Sequence, residues 1–278
     1  TLNPRGQLGV GKEEGKNGGA EPVLIEGLDR GAVAEVVCGG YHSVARTVTG
    51  EVITWGWSDN GQLGRGKDTS PAPGTVHAVR GVRQVCAGQL FSACVTSSGN
   101  VWAWGAGGSG QLGNGSNSGS AGPLRVTFST PLRVREAACG DAHMLVVCEE
   151  RGVWSWGRGS QGQLGVGSVK DSDTPVRVAL QAENKALPGC SAVRCGANFS
   201  LAIGSDGECF TWGQGAHSAL GHGNVTHDAL VPRQVQALLE VPLVDAFCGA
   251  HHVVAVAKGG AMWGWGLDHE GQLGQAHA

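Results

Sequence analysis

The chain has 278 residues, of which 49 are glycine, and only 15% are charged. Its formal net charge of −3 at pH 7 supplies no basic field to attract nucleic acid or an anionic membrane, so neither is expected as a partner. No apolar run is long enough to form a membrane-spanning helix. Many glycines and few charges predict short strands and turns, with no long surface helices.

A Gly-Gln-Leu-Gly motif, or a close variant of it, recurs along the whole chain with a period of 49 to 56 residues. Its six copies lie at residues 6–9, 61–64, 110–113, 162–165, 218–221 and 271–274. Two further landmarks keep the same register. One is a cysteine, which we expect at one repeat position, at Cys38, Cys86, Cys139, Cys195 and Cys248. The other is a Trp-Gly pair, at Trp55, Trp104, Trp156, Trp212 and Trp265.

Within each repeat, short β-prone segments are bounded by glycine-rich turns. The Trp segments alternate with a period of two, as in Trp102-Ala-Trp104, which is typical of strands. Val235 to Val241 is the nearest candidate for a helix, and it is short. A sheet of about fifty residues is too small to be stable alone, so the repeats predict an all-β protein in which successive sheets pack as the blades of a β-propeller.

The repeat also accounts for motifs that resemble ligand sites. Gly157, Gly159 and Gly162 have the G-x-G-x-x-G spacing of a dinucleotide-binding loop, but no helix is predicted to follow and receive a phosphate. The cysteines form no C-x-x-C pair, and we interpret them as small buried thiols of a reducing compartment. No cofactor, metal or catalytic residue is predicted. The glycines Gly61, Gly110 and Gly162, and the five Trp, are predicted to be structural.

Taken together, the GQLG turn, the Cys-Gly-x-x-His turn (as in Cys139 to His143) and the Trp-Gly strand resemble the regulator of chromosome condensation 1 (RCC1) repeat family. The resemblance covers essentially all of residues 1–278 and implies one RCC1-like propeller domain. The family fold has seven blades, and about five are represented here, so we expect the sequence to be an incomplete segment of a longer propeller.

The resemblance implies a non-enzymatic platform that binds a protein partner through the loops between strands. The alternative is guanine-nucleotide exchange on a small GTPase, because Asp59 and Asp141 resemble acidic positions on the GTPase-binding face of the founding member. Both carboxylates could instead satisfy local turn N–H groups. His251, in a corresponding turn, is the third candidate partner-binding residue. Ultraviolet-B perception through tryptophans is less favoured, because no Trp precedes the recurrent His.

The repeat leaves four segments unexplained, and we expect partner contacts there: Asn114–Gly122, Lys170–Thr174, Gln181–Cys190 and His222–Asp228. The protein is expected to be intracellular, without a more specific compartment.

At the recurrent histidine position, Phe91 and Phe199 stand in other repeats, which indicates a packing position.

Overall fold

The computed structural model describes residues 3–11, 21–28, 32–150, 152–178, 187 and 189–274. The chain divides into two compact units, Thr1–Arg133 and Val134–Ala278. Both units are built from antiparallel sheets whose strands follow one another in chain order. We call these sheets blades 1 to 5, in chain order.

Unit 1 contains two four-stranded blades. Blade 1 comprises β1 (Val33–Cys38), β2 (His42–Thr47), β3 (Val52–Gly56) and β4 (Ser70–Thr75). Blade 2 comprises β5 (Val82–Ala87), β6 (Phe91–Thr96), β7 (Val101–Gly105) and β8 (Ser120–Arg125).

Unit 2 contains two four-stranded blades and one of three strands. Blade 3 comprises β9 (Val134–Cys139), β10 (His143–Cys148), β11 (Val153–Gly157) and β12 (Ser172–Arg177). Blade 4 comprises β13 (Cys190–Cys195), β14 (Phe199–Gly204), β15 (Cys209–Gly213) and β16 (Ala229–Gln234). Blade 5 comprises β17 (Leu243–Cys248), β18 (His252–Ala257) and β19 (Met262–Gly266).

Helical structure is limited to short 3-10 segments among the described residues. One of them, Gln236–Leu238, lies within the segment from Val235 to Val241 that was the nearest candidate for a helix. In the described part of the chain, no helix has both the length and the apolar character needed to cross a membrane.

The second strand of each four-stranded blade is deeply buried. In blades 2, 3 and 4, every residue of that strand is buried. Because such a strand is covered on both faces, its sequence is nearly all apolar and does not alternate between apolar and polar residues. Three of the GQLG leucines, Leu63, Leu112 and Leu164, are equally buried at 0% exposure, whereas Leu8 is 38% exposed.

The five recurrent cysteines do not share one repeat position, contrary to the expectation from the sequence. Cys38 lies opposite Ser43 in the β1–β2 ladder, whereas Ala87 lies opposite the equivalent Ser92 in blade 2. Cys86 is therefore one residue out of register, and a shift of one places its side chain on the other face of the sheet. Cys38 is accordingly exposed while Cys86 is buried, so the interpretation of all these thiols as buried was also wrong.

Candidate functional site

Within each unit, a GQLG turn receives the tryptophan of the blade that follows it. In unit 1, the indole N–H of Trp104 donates to the main-chain carbonyl of Gln62 at 2.9 Å, and that of Trp55 donates to Gln7 at 3.0 Å. In unit 2, Trp212 donates to Gln163 at 2.9 Å and Trp265 donates to Ala219 at 3.0 Å. Trp55, Trp104, Trp156 and Trp212 are at most 2% exposed, and Trp265 is half-buried.

The glutamine side chain of the motif stabilises its own turn. Gln62 Oε1 accepts the N–H of Asn60 at 3.1 Å, and Gln163 Oε1 accepts the N–H of Gln161 at 2.9 Å. The first glycine of the motif has a positive φ in each intact copy, as at Gly61 (82°), Gly110 (77°) and Gly162 (78°). These are turn conformations that glycine adopts without steric cost.

The glycine triplet Gly157, Gly159 and Gly162 belongs to this architecture. It begins at the last residue of β11 and leads through the turn to β12, and the described residues 157–178 contain no helix that could receive a phosphate. The recurrent histidines are architectural as well. His42 Nε2 lies 2.8 Å from Ser92 Oγ, which itself donates to the Gln62 carbonyl. Because that hydroxyl hydrogen is committed to Gln62, His42 donates to Ser92 through Nε2–H.

The same arrangement recurs in unit 2, where His143 Nε2 lies 3.0 Å from Ser200 Oγ and Ser200 donates to the Gln163 carbonyl. Burial lowers the pKa of both His42 and His143 to about 4, because the charged imidazolium cannot be hydrated there. Both rings are therefore neutral at pH 7.

Asp141 lies in the turn between β9 and β10, where its main-chain N–H donates to the Ala197 carbonyl at 2.9 Å. Burial raises the pKa of its carboxyl, and the charges of His251 and Arg158 partly offset that rise. The structure thus brings together two of the three predicted partner-binding residues, Asp141 and His251. It adds Arg158, whose main-chain N–H donates to Ala142 and whose side chain is exposed.

A further residue of this cluster, His217, was not among the sequence-predicted site residues. Its ring centroid lies 5.2 Å from that of His251. His217 and Ser218 have φ values of 59° and 57°, the only positive values for non-glycine residues in the described part of the chain. They belong to the degenerate fourth-blade turn, Ser218 to Gly221, in which Ala219 replaces the glutamine. In the other copies the glutamine amide oxygen accepts the N–H two residues before it, and the replacement of that glutamine by Ala219 was the signal in the sequence.

Asp59 lies in unit 1, exposed in the turn from Ser58 to Gly61. Among the residues that the structure describes, neither its carboxylate nor that of Asp141 accepts a side-chain or turn hydrogen bond. The alternative, in which both carboxylates satisfy local N–H groups, is thus not what the geometry shows. Their role in partner binding stays a prediction.

Two of the four unexplained segments anchor outer strands. Asp171 Oδ1 accepts the N–H of Gly159 at 2.8 Å, and Asp228 Oδ1 accepts that of Gly215 at 3.0 Å. The segment Asn114–Gly122 runs into β8. Most of Gln181–Cys190 lies outside the described residues.

Residues 2–278 match the family model described as the RCC1-like domain. The chain belongs to the RCC1-like domain family. This match confirms the prediction of an all-β propeller built from RCC1-like repeats. The crystal structure of human WBSCR16 is similar to this chain, with a TM-score of 0.87 and 26% identity over 99% of this chain and 72% of that one. Prp20p from Saccharomyces cerevisiae has a TM-score of 0.73 at 21% identity, covering 88% of this chain and 58% of that one, and supports the fold alone.

Among curated relatives, the RCC1-like chain is 35% identical over 277 residues to the human E3 ubiquitin-protein ligase HERC2, covering 97% of this chain. It is 32% identical over 274 residues to the ultraviolet-B receptor UVR8 of Arabidopsis thaliana, again covering 97% of this chain. The chain spans only 6% of HERC2 and 60% of UVR8.

Proposed function

We propose that this RCC1-like domain is a non-enzymatic platform that binds a protein partner through the turns carrying Asp141, Arg158, His217 and His251. The relatives support an interaction role in general. Prp20p is described as binding Gsp1p and histones, and HERC2 is described as a ubiquitin-protein ligase. Because the chain matches 6% of HERC2, no ligase activity is carried over to it.

The observation that carries the proposal is that this cluster costs stability and serves no repeat function. The Asp141 carboxyl is half-buried with its pKa raised, so its ionisation is less favourable in the folded than in the unfolded chain. His217 and Ser218 hold a left-handed backbone where the other copies of the motif place glycine at the second of these positions. Unfavourable features of this kind accumulate at binding sites, where a partner offsets them.

Affinity purification of tagged wild-type and variant chains, followed by quantitative identification of the bound proteins, tests the proposal. We expect the double variant Asp141→Asn/His251→Ala to lose at least nine-tenths of its specific partner while its melting temperature is unchanged or higher. Asp206→Asn is the matched control, because Asp206 is exposed in the turn between β14 and β15 of the same unit. Equal retention of partners by all three chains would contradict the proposal.

A second candidate function is nucleotide exchange on a small GTPase. Its support is that Asp141, chosen by resemblance to the exchange face, has His251 as a charge partner. Release of a fluorescent GDP analogue from a panel of Ran-like GTPases distinguishes the two functions. If the domain accelerates GDP release and Asp141→Asn abolishes the acceleration, the result supports exchange. If GDP release from no GTPase of the panel is accelerated, only the platform function is supported.

We propose further that the domain acts inside the cell. Cys94 and Cys209 are buried free thiols, and burial raises the pKa of the Cys209 thiol to about 12. Unpaired buried thiols of this kind are typical of proteins from reducing compartments.

A further inference from the structure

A second surface, in unit 1, carries aromatic residues that the repeat does not require. The main-chain N–H of Trp57 donates to the carbonyl of Tyr41 at 2.9 Å. Every other blade makes the same backbone bond between different residues: Ala106 to Leu90, Arg158 to Ala142, Gln214 to Asn198 and Leu267 to His251. Since these positions accept small, polar and charged side chains alike, the Tyr and the Trp of blade 1 are not needed for folding of a blade.

The two rings and one cation form a compact cluster. The Tyr41 and Trp57 ring centroids are 5.5 Å apart at an interplanar angle of 89°, and the Arg5 guanidinium carbon lies 5.2 Å from the Trp57 ring centroid. Tyr41 is 46% exposed, and Arg5 is exposed. Among the residues that the structure describes, no carboxylate pairs with Arg5 and no acceptor meets the Trp57 indole N–H. Tyr, Trp and Arg are the residue types enriched at binding hot spots.

The backbone of this surface limits how a partner could bind. The N–H of Trp57 is used within blade 1, and that of Gly40 donates to Gln89 at 3.1 Å, so neither is left to pair with an added strand. What remains for a partner is the exposed Tyr41 ring, the partly buried Trp57 ring and the Arg5 guanidinium, because the Trp57 indole N–H is itself buried. Polyproline II segments dock on aromatic rings of this kind and need no partner strand, and a carboxylate is the natural partner of a guanidinium.

We infer that Arg5, Tyr41 and Trp57 form a docking site for an extended, proline-containing acidic segment of a partner protein. The proline rings pack on Tyr41 and Trp57, and a glutamate or aspartate beside them pairs with Arg5. This site goes beyond the proposed function, because it lies in unit 1 and shares no residue with the Asp141 cluster of unit 2.

Fluorescence anisotropy of labelled ten-residue peptides, titrated with the whole chain, tests the inference. The probes are a peptide of alternating Glu and Pro, one in which Lys replaces Glu, and one in which Ala replaces Pro. We expect the Glu-Pro peptide to bind at least tenfold more tightly than the other two. Tyr41→Ala and Arg5→Ala should each weaken its binding at least tenfold, and added salt should weaken it further.

Trp263→Ala and Arg80→Ala are the matched controls, because Trp263 is 41% exposed and the Arg80 side chain is 58% exposed elsewhere on the chain. Both should bind the Glu-Pro peptide as the wild type does, and so should Asp141→Asn. Absence of binding by the Glu-Pro peptide overturns the inference. So does equal binding of the Lys-Pro peptide, or binding that survives both Tyr41→Ala and Arg5→Ala. Those two side chains are exposed, so the test does not depend on whether Trp57→Ala folds.

Discussion

Trp104 donates its indole N–H to the main-chain carbonyl of Gln62, one blade earlier in the chain, at 2.9 Å. The last glycine of the same motif, Gly64, lies against that indole, and a Cβ on Gly64 would stand 2.6 Å from Trp104 Nε1. The close approach explains why the glycine recurs together with the tryptophan, whereas the hydrogen bond needs only a main-chain carbonyl, which Ala219 also supplies to Trp265. Within each unit, the turn is complementary to the tryptophan of the blade that follows it.

Gly64→Ala should therefore destabilise unit 1 by two separate effects. Gly64 has φ +70°, and a non-glycine residue there costs about 1–2 kcal/mol. Displacement of the buried Trp104 adds about 2 kcal/mol more, which is the scale of overpacking in a core. Urea unfolding followed by tryptophan fluorescence measures the total loss.

Gly274→Ala is the matched control for this substitution. Gly274 is the equivalent glycine of the last motif and has φ +66°, but a Cβ there would meet nothing within 4 Å. It should lose only the backbone contribution of about 1–2 kcal/mol. If both variants lost the same free energy of unfolding, the close approach of Gly64 to Trp104 would not contribute to the destabilisation.

The buried histidines predict a loss of stability in mild acid. In the unfolded chain each histidine binds a proton near its ordinary pKa of 6.5, whereas in the folded chain the pKa of His42 and His143 is about 4. The unfolded state therefore gains protons first as pH falls. Stability is complete above pH 6.5 and decreases between pH 6.5 and 4, by about 3 kcal/mol for each histidine.

The repeats themselves supply a variant that tests this acid sensitivity. His143 contacts Ser200 of the following blade. One blade further on, Phe199 occupies the position equivalent to His143, and Val253 occupies the position equivalent to Ser200. The double variant His143→Phe/Ser200→Val copies the Phe-Val pair. Its free energy of unfolding at pH 7.5 should stay within about 1.5 kcal/mol of the wild-type value. The free energy of unfolding that it loses between pH 6.5 and 4 should be smaller than in the wild type by the contribution of one histidine. An unchanged pH profile from chemical denaturation would show that His143 is not the acid-sensitive group.

The periodic part of the fold was predictable because the GQLG and Trp-Gly landmarks recur five or six times in register. Strand identity, the buried tryptophans and the structural role of the glycine triplet all follow from that repetition. Features of a single blade were not predictable in this way. The displaced Cys86 is one such feature: it precedes Phe91 by five positions, whereas Cys38 precedes His42 by four, and the pairing of β5 with β6 shows that Ala87 takes the equivalent place.

The coupling between His and Ser is present in the sequence but does not stand out there. Phe91 and Phe199 replace the histidine in other blades, and that exchange by itself indicates only a packing position. His42 and His143 each face a serine of the following blade, and that hydroxyl explains why a histidine is present. The position of His217 depends on a left-handed backbone, which a degenerate motif suggests but does not define.

An ion-pair network in unit 2 spans three successive blades. The guanidinium of Arg194 in β13 lies 2.6 Å from Glu136 in β9 and 2.5 Å from Asp245 in β17. Its Nε–H also donates to the Ala246 carbonyl at 2.8 Å. Arg194→Met leaves two carboxylates without their cation and should cost about 2–3 kcal/mol, less than a fully buried pair because all three side chains are partly exposed.

Arg80→Met is the comparison for Arg194→Met. Arg80 lies 3.7 Å from Glu51, and both side chains are about half exposed, so the loss should be about 0.5 kcal/mol or less. Neutralising the carboxylates as well, in Glu136→Gln/Arg194→Met/Asp245→Asn, should recover at least half of the loss seen for Arg194→Met alone. Denaturant melts of the four chains at low salt provide the measurement, and equal losses for Arg80→Met and Arg194→Met would argue against the bridge.

Asp141→Asn should separate stability from binding. Burial raises the pKa of the Asp141 carboxyl above its unfolded value, so the folded state holds the proton more tightly, and ionisation of Asp141 at neutral pH lowers the free energy of unfolding. Removing the charge should therefore leave the melting temperature at pH 7 unchanged or raise it, while partner binding falls. His251→Ala removes a charge that opposes the rise, so it should shift the pKa of Asp141 further upward in a carboxyl-detected NMR titration. A lower melting temperature for Asp141→Asn, or a downward shift of that pKa in His251→Ala, would mean that the carboxylate stabilises the turn and is not held there for a partner.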